Sequence, residues 1–156
     1  MKKLISILAV LFSFINSAFA ENKINDLKTA EEKRAEFVLI NMQNDYIACY
    51  SFYKIGAEYV KQSDGKTNII EGIEKSSDNS LKLAHDTGEI MGMTSSEMSS
   101  KIKQEMKNQL AQIDSDFNNA SILLKKYGLE CKNLIENKKQ RISFWEKKAK
   151  GKFKNE

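Results

Sequence analysis

The chain contains no proline among its 156 residues. Proline makes up about 5% of an ordinary protein, and its missing N–H and ring clash exclude it from helix interiors. A chain that never uses it points to long helices and short connections. β-Branched residues in strict alternation are also missing, which argues against strands. Histidine occurs once, at His85, and cysteine twice, at Cys49 and Cys131.

These scarcities narrow the chemistry. One histidine cannot supply the two Glu-x-x-His motifs of a di-iron carboxylate bundle. Without Cys-x-x-Cys-His there is no covalent haem attachment, and the wide cysteine spacing excludes a Cys-x-x-Cys redox centre. No Gly-x-Ser-x-Gly elbow and no glycine-rich phosphate loop occurs. The expectation is a non-enzymatic protein that acts by binding, with no cofactor and no metal site. A haem or metal carrier working through His85, with methionines or with Asp86 and Glu89, is an alternative.

Only one apolar run is long. Leu4–Ile15 is interrupted by Ser6 and Ser13 alone, follows Lys2 and Lys3, and precedes Ala18-Phe19-Ala20. A basic start, a short apolar stretch and a small-x-small site form the pattern of a cleaved export signal. The run is shorter than the ~20 residues a spanning helix needs. We therefore expect residues 1–20 to be removed on export, most readily to a bacterial periplasm. In an oxidising compartment two cysteines are expected to pair, here Cys49 with Cys131. Residues 21–28 read as a frayed N-terminus, 29–150 as the helical domain and 151–156 as a frayed basic tail.

Within that domain the spacing predicts four helices. Thr29 is a candidate N-cap with Glu31 and Glu32 behind it, and the first helix runs to about Gln62. Val38, Met42, Cys49, Phe52 and Tyr59 form one apolar stripe. Tyr46, Tyr50, Tyr53, Ala57 and Val60 form another, so this helix should contact two neighbours. Ser63–Lys66 is a turn signal. A second helix, about Thr67–Met91, carries a small-residue seam through Ser77, Ala84 and Gly88, with a polar stretch at Ser76–Ser80 that could break it. A third, capped at Thr94–Ser96, repeats apolar residues from Met98 to Tyr127, with Gly128 as its stop. A fourth spans about Leu129–Lys150. Short connections predict an all-α, up-down-up-down four-helix bundle stapled by one disulfide.

Two regions stand out as candidate contact surfaces. If Cys131 lies at the top of the third helix, the hairpin between the first two helices projects past the bridge and exposes Tyr53, Tyr59 and Val60. The second region is electrostatic. Residues 21–133 hold 15 basic and 18 acidic side chains, whereas 134–156 hold 8 and 3. Lys147, Lys148 and Lys150 belong to this basic end, which could dock on an anionic envelope surface. The expected partner is a protein or envelope component, not a nucleic acid, since the body is near neutral.

Overall fold

The computed structural model describes residues 28–63 and 66–154. The expected export signal and most of the frayed N-terminus lie outside the described residues. Those that are described form five α-helices and one short 3₁₀ turn, with no strand among them. They are α1 (Ala30–Gln62), α2 (Thr67–Ile90), α3 (Ser95–Gln112), α4 (Ser121–Glu136) and α5 (Lys138–Lys152), with the 3₁₀ turn Phe117–Asn119 between α3 and α4.

Helix α1 begins where local chemistry dictates. The Thr29 hydroxyl accepts from the Glu32 N–H at 3.2 Å, and Glu32 Oε2 accepts from the Thr29 N–H at 2.7 Å. This reciprocal pair satisfies two otherwise orphaned donors. It also holds the Glu32 carboxyl below its usual range, the Thr29 backbone bond being the largest cause. Thr94 and Glu97 repeat the device at the start of α3. Helix α2 passes unbroken through Ser76–Ser80, where Ser76 and Ser80 turn their hydroxyls onto the carbonyls of Gly72 and Ser76. Ser77, Ser80, Ala84, Thr87 and Gly88 are buried. Their small side chains let α2 lie close against α1, as the sequence suggested.

The third and fourth helices depart from expectation. The apolar period from Met98 to Tyr127 spans a break, because α3 stops at Gln112. Asp114 (φ 53°) and Ser115 (φ 56°) then adopt left-handed backbone, and the Asp116 side chain caps the 3₁₀ turn by accepting from the Asn118 N–H at 2.9 Å. Gly128 does not stop a helix. It lies within α4, where a Cβ would meet Leu124 Cδ1 at 2.9 Å and Phe52 Cζ at 3.9 Å. The last helical stretch is divided at Asn137 into α4 and α5. The described residues therefore build five helices, not four.

Helix α1 is the axis on which the others pack. Helix α2 runs back along it, with Ser77 near the Tyr50 carbonyl and Gly88 beside Gln43. Helix α3 follows α1 in the same sense, from Met98 and Lys101 at Gln43 to Gln109 at the Ala48 carbonyl. Helices α4 and α5 return, with Tyr127 against Phe52, Cys131 bonded to Cys49, and Arg141 on Asp45. Being contacted on so many sides, α1 buries Gln43, Ile47, Ser51 and Ile55 in addition to its expected stripes.

Two cores result. The larger surrounds the bridge and includes Met42, Tyr46, Ile47, Ala84, Met98 and Leu134. The smaller, Ile55 with Ile113 and Leu123, lies toward the α1–α2 hairpin. Helix α5 continues to Lys152, two residues into the segment expected as a frayed tail. There the Arg34 guanidinium donates to the Phe153 carbonyl at 2.5 Å, and the Phe153 ring meets Phe37 edge-on at 6.0 Å.

Candidate functional site

The bridge fixes the site. Cys49 and Cys131 are joined, with Cα atoms 5.3 Å apart. Because the break comes at 113–120 and not at Gly128, α4 starts ten residues before Cys131. Its first turns therefore reach ~15 Å past the bridge at ~1.5 Å per residue. They lie alongside the hairpin that was expected to project alone.

An apolar groove of about 460 Å³ remains between α1, α2 and the start of α4. Helix α1 contributes Phe52, Tyr53, Gly56, Tyr59 and Val60, so the structure brings the three hairpin residues singled out from sequence to one place. Ile73 closes it from α2, and Leu124 and Gly128 from α4. Tyr53 and Val60 are half-buried, whereas Tyr59 is 39% and Leu124 62% exposed. Sequence reasoning missed Leu124 as a groove residue, since it was assigned to a helix core. Burial, and secondarily the charge of Glu136, raises the Tyr53 phenol above its ordinary value. Lys132 is the one charged residue in the lining, at the end of the groove nearest the bridge.

Gly56 decides the shape of the groove. A Cβ at this position would have no atom within 4 Å. The absence of a side chain on α1 at that point leaves space between the aromatic rings on either side of it.

Lys147, Lys148 and Lys150 lie elsewhere. They are on α5, which packs against the first half of α1; Lys150 shares a wall with Arg34, which lies ~37 Å from Tyr59 along the α1 axis at ~1.5 Å per residue. All three are exposed. Helix α5 is clamped by a group no sequence pattern indicated. Asp45 receives Arg141 through two bonds of 2.7 and 2.8 Å and the Trp145 indole N–H at 2.6 Å. The Asp45 hydrogen bond raises the Arg141 pKa further, against the opposing effect of burial. Arg141 also stacks on Trp145 and Phe144, with Cζ 5.1 and 4.9 Å from the ring centres. A wider depression of about 720 Å³ lies beside this contact. Glu31 and Glu146 share its walls with Arg34 and Lys150, so its charge favours a ligand of neither sign.

His85 is exposed on α2. No group of three His, Cys, Asp or Glu side chains able to hold a metal ion occurs among the described residues. No helix among them is long and apolar enough to cross a membrane. Comparison of the chain with protein-family models, with curated proteins and with solved structures found no match.

Proposed function

We propose that this chain is an exported, non-enzymatic helical protein that acts by binding, and that the groove beside Gly56 is its binding site. The groove carries the reading. Its volume falls in the range of ligand pockets, about 300–1,000 Å³, and apolar side chains dominate its walls, as such sites require. Burying that exposed apolar surface in a complex is favourable in proportion to its area. The leader-like sequence at 1–20 supports export, and a formed disulfide is compatible with an oxidising compartment. We read α4 and α5 together as one broken fourth rod of an up-down bundle, which holds the groove at one end of the molecule.

The test places a photoreactive benzoylphenylalanine at Tyr59 in cells that carry the protein. A defined adduct from position 59, absent from the same label at Glu71 and lost in Gly56→Leu, is the expected result. Adducts that form equally from both positions, or that persist in Gly56→Leu, would remove the groove from the account.

A second reading rests on Phe144. This ring is 42% exposed on α5, with Arg141 on its face and Lys148 Nζ 5.6 Å from its centre. An exposed aromatic among lysines suits an anionic membrane surface, the ring entering the headgroup layer and the lysines meeting phosphates. In this reading the basic end docks on the envelope and the bundle serves as a spacer. Salt-sensitive co-sedimentation with phosphatidylglycerol vesicles, weakened by Phe144→Ser, is expected. Equal sedimentation with phosphatidylcholine vesicles would dismiss it.

A further inference from the structure

We propose that the groove takes the tail of a single-chain anionic amphiphile such as a fatty acid, with Lys132 holding its head group. This rests on the reading of the groove as the binding site and names the chemistry of its occupant.

Shape comes first. The α4 wall runs from Ser121 to Lys132, ~16 Å at ~1.5 Å per residue, and on the α1 wall Gly56 leaves open space, where a Cβ would have no atom within 4 Å. The lining therefore follows the α4 axis over about that length. Two of its walls are aromatic and aliphatic, formed by Phe52, Tyr59 and Val60 on one side and Leu124 on the other.

Polarity decides between classes of occupant. Apart from the phenol oxygens of Tyr53 and Tyr59, the lining offers only the Ser121 hydroxyl and the Lys132 ammonium as side-chain polar groups. An extended peptide would bring a row of N–H and C=O groups into this space. Each one left without a partner costs roughly 1–3 kcal/mol. An alkyl chain brings none.

Charge then orients the ligand. Lys132 has no ion-pair partner among the described residues, and it stands at one end of the trough, so its ammonium is available to a carboxylate. Glu136, one turn further along α4, is not part of the lining, although its charge reaches Tyr53, which is. A cation at the mouth of an apolar slot gives a charge-assisted contact for an anionic head and repels a cationic one.

The experiment is calorimetric titration of the oxidised chain lacking residues 1–20 with dodecanoate, kept below its micellar concentration. Dodecyltrimethylammonium is titrated in parallel. Saturable one-to-one binding of dodecanoate is expected, with the cationic amphiphile at least tenfold weaker. Lys132→Glu should weaken dodecanoate tenfold or more and reverse the head-group preference, whereas Lys132→Arg should keep it. Gly56→Leu, verified as helical by circular dichroism, should abolish binding of both. No saturable dodecanoate binding, equal affinity for the two head groups, or undiminished binding in Gly56→Leu would overturn the proposal. Should dodecanoate fail while position 59 still gives its defined adduct, the groove remains the binding site and the anionic amphiphile is wrong. Loss of both results would discard the groove itself.

Discussion

The Tyr46 hydroxyl is buried at the centre of the larger core and has no hydrogen-bond partner among the described residues. Burial, assisted by the charge of Asp45, pushes its pKa up to about 12. The phenol of an unfolded chain ionises near 10. Below that pH both states hold the proton and the group has no effect on stability. Above it the unfolded state loses its proton first, so stability falls as pH rises from about 10 toward 12. Tyr46→Phe should flatten that alkaline decline by about 2 kcal/mol at pH 12. Near neutral pH it should leave stability unchanged or raise it by up to about 1 kcal/mol, because an unpaired buried hydroxyl is removed. Urea titrations of both proteins at pH 7 and pH 11–12 check this, and an unaltered alkaline limb would refute it. Asp45 belongs to the same neighbourhood. Asp45→Asn removes the charge that holds Arg141 and should cost about 2 kcal/mol. Loss of α5 docking would be visible as a red shift of Trp145 fluorescence. Nothing in the sequence marks Asp45, since one carboxylate in a long helix looks like any solvated charge until α5 is placed against it.

Glycine shows at the level of elements why position outweighs composition. Gly56 and Gly88 both sit inside helices. A Cβ at Gly56 meets open space, so Gly56→Ala should stabilise by about 0.5–1 kcal/mol through helix propensity alone. At Gly88 a Cβ would overlap the Met98 terminal methyl and approach Gln43 Nε2 at 2.8 Å. The Gln43 amide is fixed there by Met93 and Lys101, at 2.9 Å each. Gly88→Ala should therefore cost about 1–2 kcal/mol despite the same propensity gain. Thermal or urea unfolding of the pair checks the opposite signs, and equal effects would contradict the packing of α2 on α1. The ends of α1 and the start of α3 were legible because Thr29, Ser63 and Thr94 carry local signals. The break at 113–120 was not, because Ile113, Phe117, Ala120 and Leu124 keep helical spacing across it. Ile113, just past the end of α3, and Leu123 of α4 do join one core, but from opposite sides of the break. Gly128 misled in the opposite way, since its bare Cα serves the close packing of Leu124 and Phe52, not a helix end.

Taken as a whole, the molecule is a long axial helix with its apolar groove at one end and its basic surface at the other. The pairing of Cys49 with Cys131 could be read from their number and from the leader-like start. The groove could be read only in part. Tyr53, Tyr59 and Val60 were visible on α1, whereas the α4 wall depends on where the chain turns. The bridge closes a separation of 82 residues. Chain-entropy reasoning gives roughly 4–5 kcal/mol for such a loop. Because α4 meets α1 mainly at the bridge and at the small core beyond it, reduction should free α4 before the α1–α2 hairpin opens. The staple holds α4 along the hairpin and so builds the groove. Amide hydrogen exchange of the oxidised and reduced protein, read by mass spectrometry, tests it most directly. Reduction should remove protection across Ser121–Glu136 while α2 stays protected. Equal protection of α4 with and without the bridge would contradict it.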